Sequence, residues 1–476
     1  MLTKPTNTSR HVLIVGSNLA GLTTALRLLQ QGFSVTILCP PPQAPPHLLT
    51  TMPHAAASLP EHEQFRLTHF DEPWPFILQG FQQATLSLLQ EIGSSHRLSW
   101  PSHMSLFFVS SLGRHRRLPL FCLPAPFHSL LGLLVFQGLS LKARLHILNH
   151  IEKLWEETIA LPLGLDQQTA DAWLLNTGHP ALALQQVWNP LCRFLLGDHL
   201  SNTSADHFTS ALTRSFLSKR SHAYVNLPAH NVQESLFTPL WKQIREHGGI
   251  IRVKTQPHSF QVNGTHITGV HIQDGTSLNA DWYVAAMEPY ALTALLPERV
   301  LAKSAYFYHL NHLWQVPALT IHIRVAASQI RPRLFLSNGT FQWITFRNEA
   351  KINTCLISCM STADTQRLEQ SDQDLLACAW KEIHQIVPHQ DGLSSSDSLE
   401  HQIFRHHRAF LSPAPGITAY RPSQQSPLPN LFLTGDWTET GLSAGVESAI
   451  VSGNRCSASI VAMNARRNID NTNHAP

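Results

Sequence analysis

His11-Val12-Leu13-Ile14-Val15-Gly16-Ser17-Asn18-Leu19-Ala20-Gly21 decides how this chain folds. The unbroken apolar run His11 to Val15 has the pattern of a parallel strand buried on both faces. From Leu19 the apolar positions Leu22, Ala25, Leu26 and Leu29 recur at helical spacing, Gly32 suits a helix end, and Val35 to Leu38 reads as a second strand. The unit is therefore βαβ. Its turn, Gly16 to Gly21, is a GxGxxG variant with Asn18 at the second glycine. Gly16 permits the tight turn, Gly21 lets helix and strand approach, and the helix start offers N–H groups to a pyrophosphate. Asn18 tolerates left-handed backbone but crowds the pyrophosphate approach. The same turn also occurs in α/β folds that bind no nucleotide, so a second signal is needed.

Working outward, Cys39 is followed by Pro-Pro-Pro-Gln-Ala-Pro-Pro, a break that leaves the nucleotide domain. Residues 76–92 and 140–160 are helical by spacing. Ser235 to His247 reads as a helix ended by Gly248-Gly249. Strands follow at Ile250–Val253, Ser259–Val262 and Thr268–Ile272, with a hairpin turn at Asn263-Gly264. Leu278 to Ala286 is a further strand carrying Asp281. The stretch 300–412 alternates strands with a helix near Asp372–Val387, and Leu431–Thr434 plus Ala444–Ala462 return to strand and helix. The expected fold class is α/β, with a discontinuous Rossmann-type domain at 1–60, 235–299 and 415–465. An α+β substrate domain is inserted at 61–234 and 300–414, and 466–476 form a disordered tail.

Composition narrows the function classes. A hydrophobic content of 43% with 14% charged residues describes a chain with a large buried interior. The net charge is +3 and no basic block tracks a phosphate backbone, so nucleic acid is not an expected partner. The 29 histidines are scattered without metal-ligand spacing, and no metal is expected. Seven cysteines form no CxxC, which points to a reducing compartment. Asn18 and Arg27 interrupt the first apolar run, and no apolar stretch reaches membrane-spanning length.

The second signal is Leu431-Phe-Leu-Thr-Gly435-Asp436-Trp437-Thr438-Glu439-Thr440-Gly441-Leu442, leading into a small-residue helix that carries Glu447. Asp-Trp-Thr at a strand end has no packing rationale of its own. This stretch resembles the C-terminal flavin segment of the squalene-associated FAD-dependent desaturases. They are also called hydroxysqualene dehydroxylases of hopanoid biosynthesis and fall within the amine oxidase and phytoene desaturase superfamily. Phe76–Gly93, Leu123-Pro-Ala-Pro126, Val187-Trp188-Asn189-Pro190-Leu191, Leu227-Pro228 and Arg421-Pro422 carry the resemblance over most of the chain. It implies an FAD cofactor, with Gly435 and Asp436 against the ribityl and pyrophosphate and the helix after Gly441 aimed at the isoalloxazine. The implied cofactor set is Gly16, Ser17, Asn18, Leu19, Ala20, Gly21, Cys39, Gly435, Asp436, Thr440, Gly441, Leu442 and Glu447. Trp188, Asn189 and Trp437 are the implied substrate contacts.

Three positions depart from that pattern. Cys39 stands where an acidic residue accepts the ribose hydroxyls, a Gly-Gly-Arg stretch is replaced by Pro40–Pro46, and Pro257 lacks the N–H an adenine contact needs. Losing a charged contact of roughly 1.5–3 kcal/mol and a backbone bond of about 1 lowers FAD affinity by about two to three decades.

The resemblance implies an apolar isoprenoid substrate and reductive removal of the hydroxyl of hydroxysqualene to give squalene, with the acid sought among Trp188, Asn189 and the neighbours of Glu447. A carotenoid-type desaturase or isomerase, and a degenerate relative that has lost tight FAD binding, are the alternatives. The segment Leu118–Leu139 reads as a core helix, or as a monotopic membrane contact or the mouth of a hydrocarbon tunnel, and the latter readings imply a cytoplasmic protein peripheral at the membrane face.

Overall fold

β1 (His11–Val15) and β2 (Ser34–Cys39) lie parallel, with Val12 opposite Val35 and Ile14 opposite Ile37. The computed structural model describes residues 10–40, 74–98, 100–101, 104–109, 115–156, 164–326, 332–349, 354–387 and 398–473. The Pro41–Pro46 part of the proline break lies outside these. β11 (Trp282–Ala285) and β17 (Leu431–Leu433) add on the far side of β1, and β7 (Ile250–Val253) adds beside β2. All four pairings are parallel, in the order β17-β11-β1-β2-β7. A parallel sheet needs both faces covered, which is why β1, β11 and β17 are almost wholly buried, whereas the edge strand β7, which carries Arg252, is half exposed. Helix α1 (Leu19–Gln30) and the C-terminal helix Val446–Asn473 cover one face. They approach closely because Gly453 has no side chain: a Cβ there would sit 2.6 Å from the Ala20 carbonyl oxygen. A small antiparallel sheet of β8 (Pro257–Asn263), β9 (His266–Ile272) and β10 (Ser277–Leu278) packs on the other.

The second layer is a seven-stranded mixed sheet in the order β16-β12-β15-β14-β13-β4-β5. Its strands are β4 (Met104–Val109), β5 (His115–Leu120), β12 (Gln315–Val325), β13 (Arg333–Ser337), β14 (Trp343–Glu349), β15 (Thr354–Thr362) and β16 (Ser398–Leu411). One face carries Phe335, Ile344 and Phe346 against the helix Asp372–Ile386. The other carries Leu106, Phe108, Trp343 and Met360 against a helical layer that includes Trp188, Leu191 and Phe208. Helices α3 (Phe127–Val135) and α4 (Leu141–Glu156) extend that layer beside β5.

Four expectations change. Residues 76–92 are not one helix: β3 (Leu78–Gln79) pairs with β6 (Val225–Asn226), and α2 begins only at Gln83 and runs to Glu91. The stretch Leu278–Ala286 divides into β10 and β11, with Asp281 between them accepting from the His11 N–H at 3.0 Å. The helix of the flavin segment starts at Val446 rather than Ala444. It continues to Asn473, so residues 466–473, expected as a disordered tail, complete its last turns.

Candidate functional site

The glycine turn is shaped by its contact with the end of β11. Gly16 has φ +110°, and a Cβ there would lie 1.9 Å from the Ala286 carbonyl oxygen, while one on Gly21 would lie 2.5 Å from the Ala286 Cβ. Asn18 corrects its sequence reading. Its backbone is extended, at φ −66° and ψ 168°, and its side chain folds back to accept the Gly21 N–H at 2.8 Å. It is an N-cap, so it does not crowd the approach. The N–H groups of Leu19 and Ala20 have no acceptor within the helix and remain for an anion.

At the end of β2, the Cys39 Sγ lies 3.1 Å from the Ser17 Oγ, and burial holds its thiol above the usual range. The residue is 7% exposed, within the apolar cluster around α1. The strand end therefore meets the turn as expected, but through a neutral buried pair. Beyond β7, the Thr255 N–H donates to the Cys39 carbonyl at 3.1 Å, and Pro257 follows as the first residue of β8.

The segment after β17 is wound around one guanidinium. Arg421 donates to the carbonyl oxygens of Asp436 at 2.6 Å, Thr438 at 2.7 Å and Trp437 at 3.3 Å, and also to that of Leu442. Gly435 must be glycine here, because a Cβ would fall 2.3 Å from the Trp437 ring nitrogen. Thr440 pairs its hydroxyl with Ser448 at 2.7 Å, and Gly441 turns at φ +71° with its carbonyl on Arg214.

Backbone N–H groups of Asp436 itself, Gly445 and Trp437 favour the charged form of the Asp436 carboxyl, so the stretch just before the C-terminal helix faces this group. Burial raises Asp436 to about 6, against the opposing charge of Arg421. Facing it is Glu288, 8% exposed, just past the end of β11. Burial first and the Asp436 charge second push its carboxyl up to about 8. Glu288 Oε2 accepts from Gln315 Nε2 at 2.6 Å.

Both carboxyls look into a cleft that encloses about 1480 Å³ including its open mouth. The cleft lies where the parallel strands end, the crevice in which open α/β sheets bind ligands. Across it stands the seven-stranded sheet. Its wall is mostly apolar, with Phe76, Phe81, Phe194, Trp343, Met360 and Phe410. Leu442 and Glu447 reach the same cleft, but the Glu447 carboxylate is engaged elsewhere, accepting from the N–H groups of Ala84 and Thr85 at 2.8 and 2.9 Å.

None of the three expected substrate residues lines this cleft. Trp188 is packed edge-on between His179 and Phe208, and Asn189 bridges the Leu200 N–H and the Asn338 side chain. Trp437 is 1% exposed, with its Nε1 on the Met287 carbonyl. Phe194 to Gly197, about two turns beyond Trp188, supply the wall instead. The residue missed was Glu288. Its signal was present: an acid directly after the apolar run Trp-Tyr-Val-Ala-Ala-Met, at the end of a buried strand.

Asp166, Asp206 and His207 bring ligand atoms within 4.8 Å of one another. Burial, with the charges of Arg421 and Arg214, holds His207 down to about 4, and those guanidiniums also repel a cation. We assign no metal there.

The donor set fits FAD at two of its three parts. The α1 start suits a pyrophosphate and the Asp436 carboxylate suits ribityl hydroxyls, whereas the ribose position offers a thiol and a hydroxyl. The comparisons with known proteins agree with this assignment. The 15-cis-phytoene desaturase of Synechococcus elongatus is 26% identical over 415 residues, covering 81% of this chain and 84% of its own length. The probable zeta-carotene desaturase of the same organism is 23% identical over 492 residues, covering 94% and 97%. An oxidoreductase from Methanosarcina mazei has the same fold, with a TM-score of 0.67 at 15% identity over 95% of this chain and all of that one. The family described as flavin containing amine oxidoreductase matches residues 76–461, so the chain belongs to that family and is an oxidoreductase with FAD as its cofactor.

Proposed function

We propose that this flavoprotein acts on a long apolar isoprenoid and reductively removes an allylic hydroxyl, with hydroxysqualene as substrate and squalene as product. The observation that carries this reading is Glu288, a buried carboxyl on the wall of an apolar cleft that keeps its proton at neutral pH. Loss of hydroxide from an apolar substrate needs such an acid, because hydroxide is a poor leaving group in a cavity that excludes water.

Gln315 occupies Oε2 of Glu288, which leaves Oε1 to carry the proton. Transfer of that proton to the substrate oxygen breaks the C–O bond and releases water, leaving an allylic cation and a Glu288 carboxylate. The faces of Trp343, Phe194 and Phe410 suit a cationic carbon chain, since aromatic faces attract positive charge. Reduced FAD, when bound, supplies hydride chemistry. Asp436 and the α1 start would hold the cofactor, and Arg421 fixes the loop that carries Asp436.

A second reading is favoured by the relatives, whose names are those of phytoene and zeta-carotene desaturases. A desaturase removes hydrogen from the same kind of chain and uses the same apolar cleft. Product analysis separates the two. Protein with reduced FAD and hydroxysqualene should yield squalene, whereas oxidised FAD with phytoene should yield a polyene absorbing in the visible if the second reading holds. Unchanged hydroxysqualene with FAD bound overturns the first.

A further inference from the structure

A second groove, separate from the cleft, is lined by Arg97, His115, Arg116, Arg117, Arg333 and Arg347, and no described residue lining it is acidic. The whole chain is almost balanced, with 34 Lys and Arg against 31 Asp and Glu, so this one-sided groove does not follow from composition. Arg347 is only 6% exposed, and its Nη1 has no hydrogen-bond partner among the described residues. A buried guanidinium N–H of that kind calls for an anionic acceptor.

Phe121 and Val135 form the apolar lip of the groove. Val135 ends α3, where Phe127, Leu131, Leu134 and Val135 recur at i, i+4, i+7 and i+8 and are 36–56% exposed. Leu141 and Leu145 of α4 are 56% and 52% exposed. These six and Phe121 are seven of the fifteen exposed large apolar side chains among the described residues, and they fall within 25 positions of the sequence. The ridge and the groove are one surface. α3 lies against β5 so closely that a Cβ on Gly132 would sit 2.0 Å from the Pro119 carbonyl oxygen, and Arg144 of α4 donates to the Leu134 carbonyl.

We propose that this face docks on a phospholipid surface carrying anionic headgroups. Their phosphates enter the arginine groove, and Phe127, Leu131 and Leu134 enter the interfacial layer. Charge complementarity selects this occupant. A second copy of the chain would bring the same cations and be repelled, and a nucleic acid would supply phosphates but leave the apolar ridge in water. The docking stands on the surface alone, whichever isoprenoid reaction the cleft performs.

Co-sedimentation of the FAD-loaded protein with vesicles tests it without any substrate. Vesicles of phosphatidylcholine mixed with phosphatidylglycerol should bind the protein at least about tenfold more tightly than phosphatidylcholine alone, and high salt should release it. Replacing both exposed arginines, Arg116→Ala with Arg117→Ala, should weaken binding to the mixed vesicles by about thirty-fold, roughly fivefold for each cation removed. Phe127→Ser with Leu131→Ser should weaken binding to both vesicle types while leaving the salt response. Equal binding to both vesicle types, no binding to either, or self-association abolished by the Phe127 and Leu131 substitutions would each overturn the proposal.

Discussion

The carboxylate of Glu447 grips the first turn of α2 at Thr85, accepting its N–H at 2.9 Å and its hydroxyl at 2.7 Å. The second oxygen takes the Ala84 N–H at 2.8 Å. Gln82, the residue at the N-cap of α2, makes no side-chain cap bond, so an acid from the C-terminal helix does that work. The flavin segment is thereby tied to the strand-and-helix wall of the cleft.

Glu447→Gln leaves one acceptor oxygen for three donors and removes the charge at the helix start. Stability should fall by about 1–2 kcal/mol, read from chemical denaturation, with FAD affinity reduced less than about threefold. A large loss of FAD affinity at unchanged stability would place Glu447 on the cofactor after all.

Glu288 predicts a pH dependence whose sign is fixed by its environment. Its folded value of about 8 lies above the ordinary 4.5 of a glutamate. A raised acid gives stability that is fully present below about pH 4.5 and is lost as the pH climbs through about 8. Glu288→Gln has no charge to bury, so the variant should gain on the wild type between pH 5 and 9. If the proposed dehydroxylation is the reaction, it should be strongly reduced in the variant across that range, while wild-type turnover falls only above about pH 8. Parallel stability curves for the two proteins would show that Glu288 ionises without penalty.

Arg421→Lys tests the loop clamp. A lysine has three donors on one nitrogen and cannot span the carbonyls of Asp436, Trp437, Thr438 and Leu442 together. Losing two to three charge-assisted bonds from a buried site should lower stability by about 3 kcal/mol or more and weaken FAD at least about tenfold, followed by flavin fluorescence. Retention of both would mean that the loop is held instead by Gln424, which donates to the Glu439 carbonyl at 2.9 Å, and by Ser452, which accepts the Gly435 N–H at 3.1 Å.

Cys39→Glu probes the ribose end. The carboxylate would gain the acceptor role that the thiol lacks, but it would enter a position 7% exposed beside Ser17. Apoprotein stability should fall by roughly 1–3 kcal/mol, while FAD affinity rises by about tenfold in those molecules that remain folded. Urea denaturation and FAD titration of both proteins separate the two effects. Unchanged affinity would show that Cys39 does not face the ribose.

The sequence by itself determined the β1-α1-β2 unit, the strand at Leu431 and the amine oxidase superfamily. Each rests on local rules: apolar periodicity, glycines where two backbones meet, and a motif whose residues are neighbours in the chain. It also supplied Arg421-Pro422, without saying what the guanidinium holds. The tertiary structure decided the site. Glu288 and Asp436 are 148 residues apart and interact only because β11 and β17 both end at the same crevice. Trp188, Asn189 and Trp437 carry motif positions, yet packing turns the two tryptophans into the core and ties Asn189 to Leu200 and Asn338, where no spacing rule could place them. Asn18 and Glu447 became helix caps for a similar reason: a polar group near a helix start is drawn to its free N–H groups, and which start lies nearby is settled only when distant elements pack.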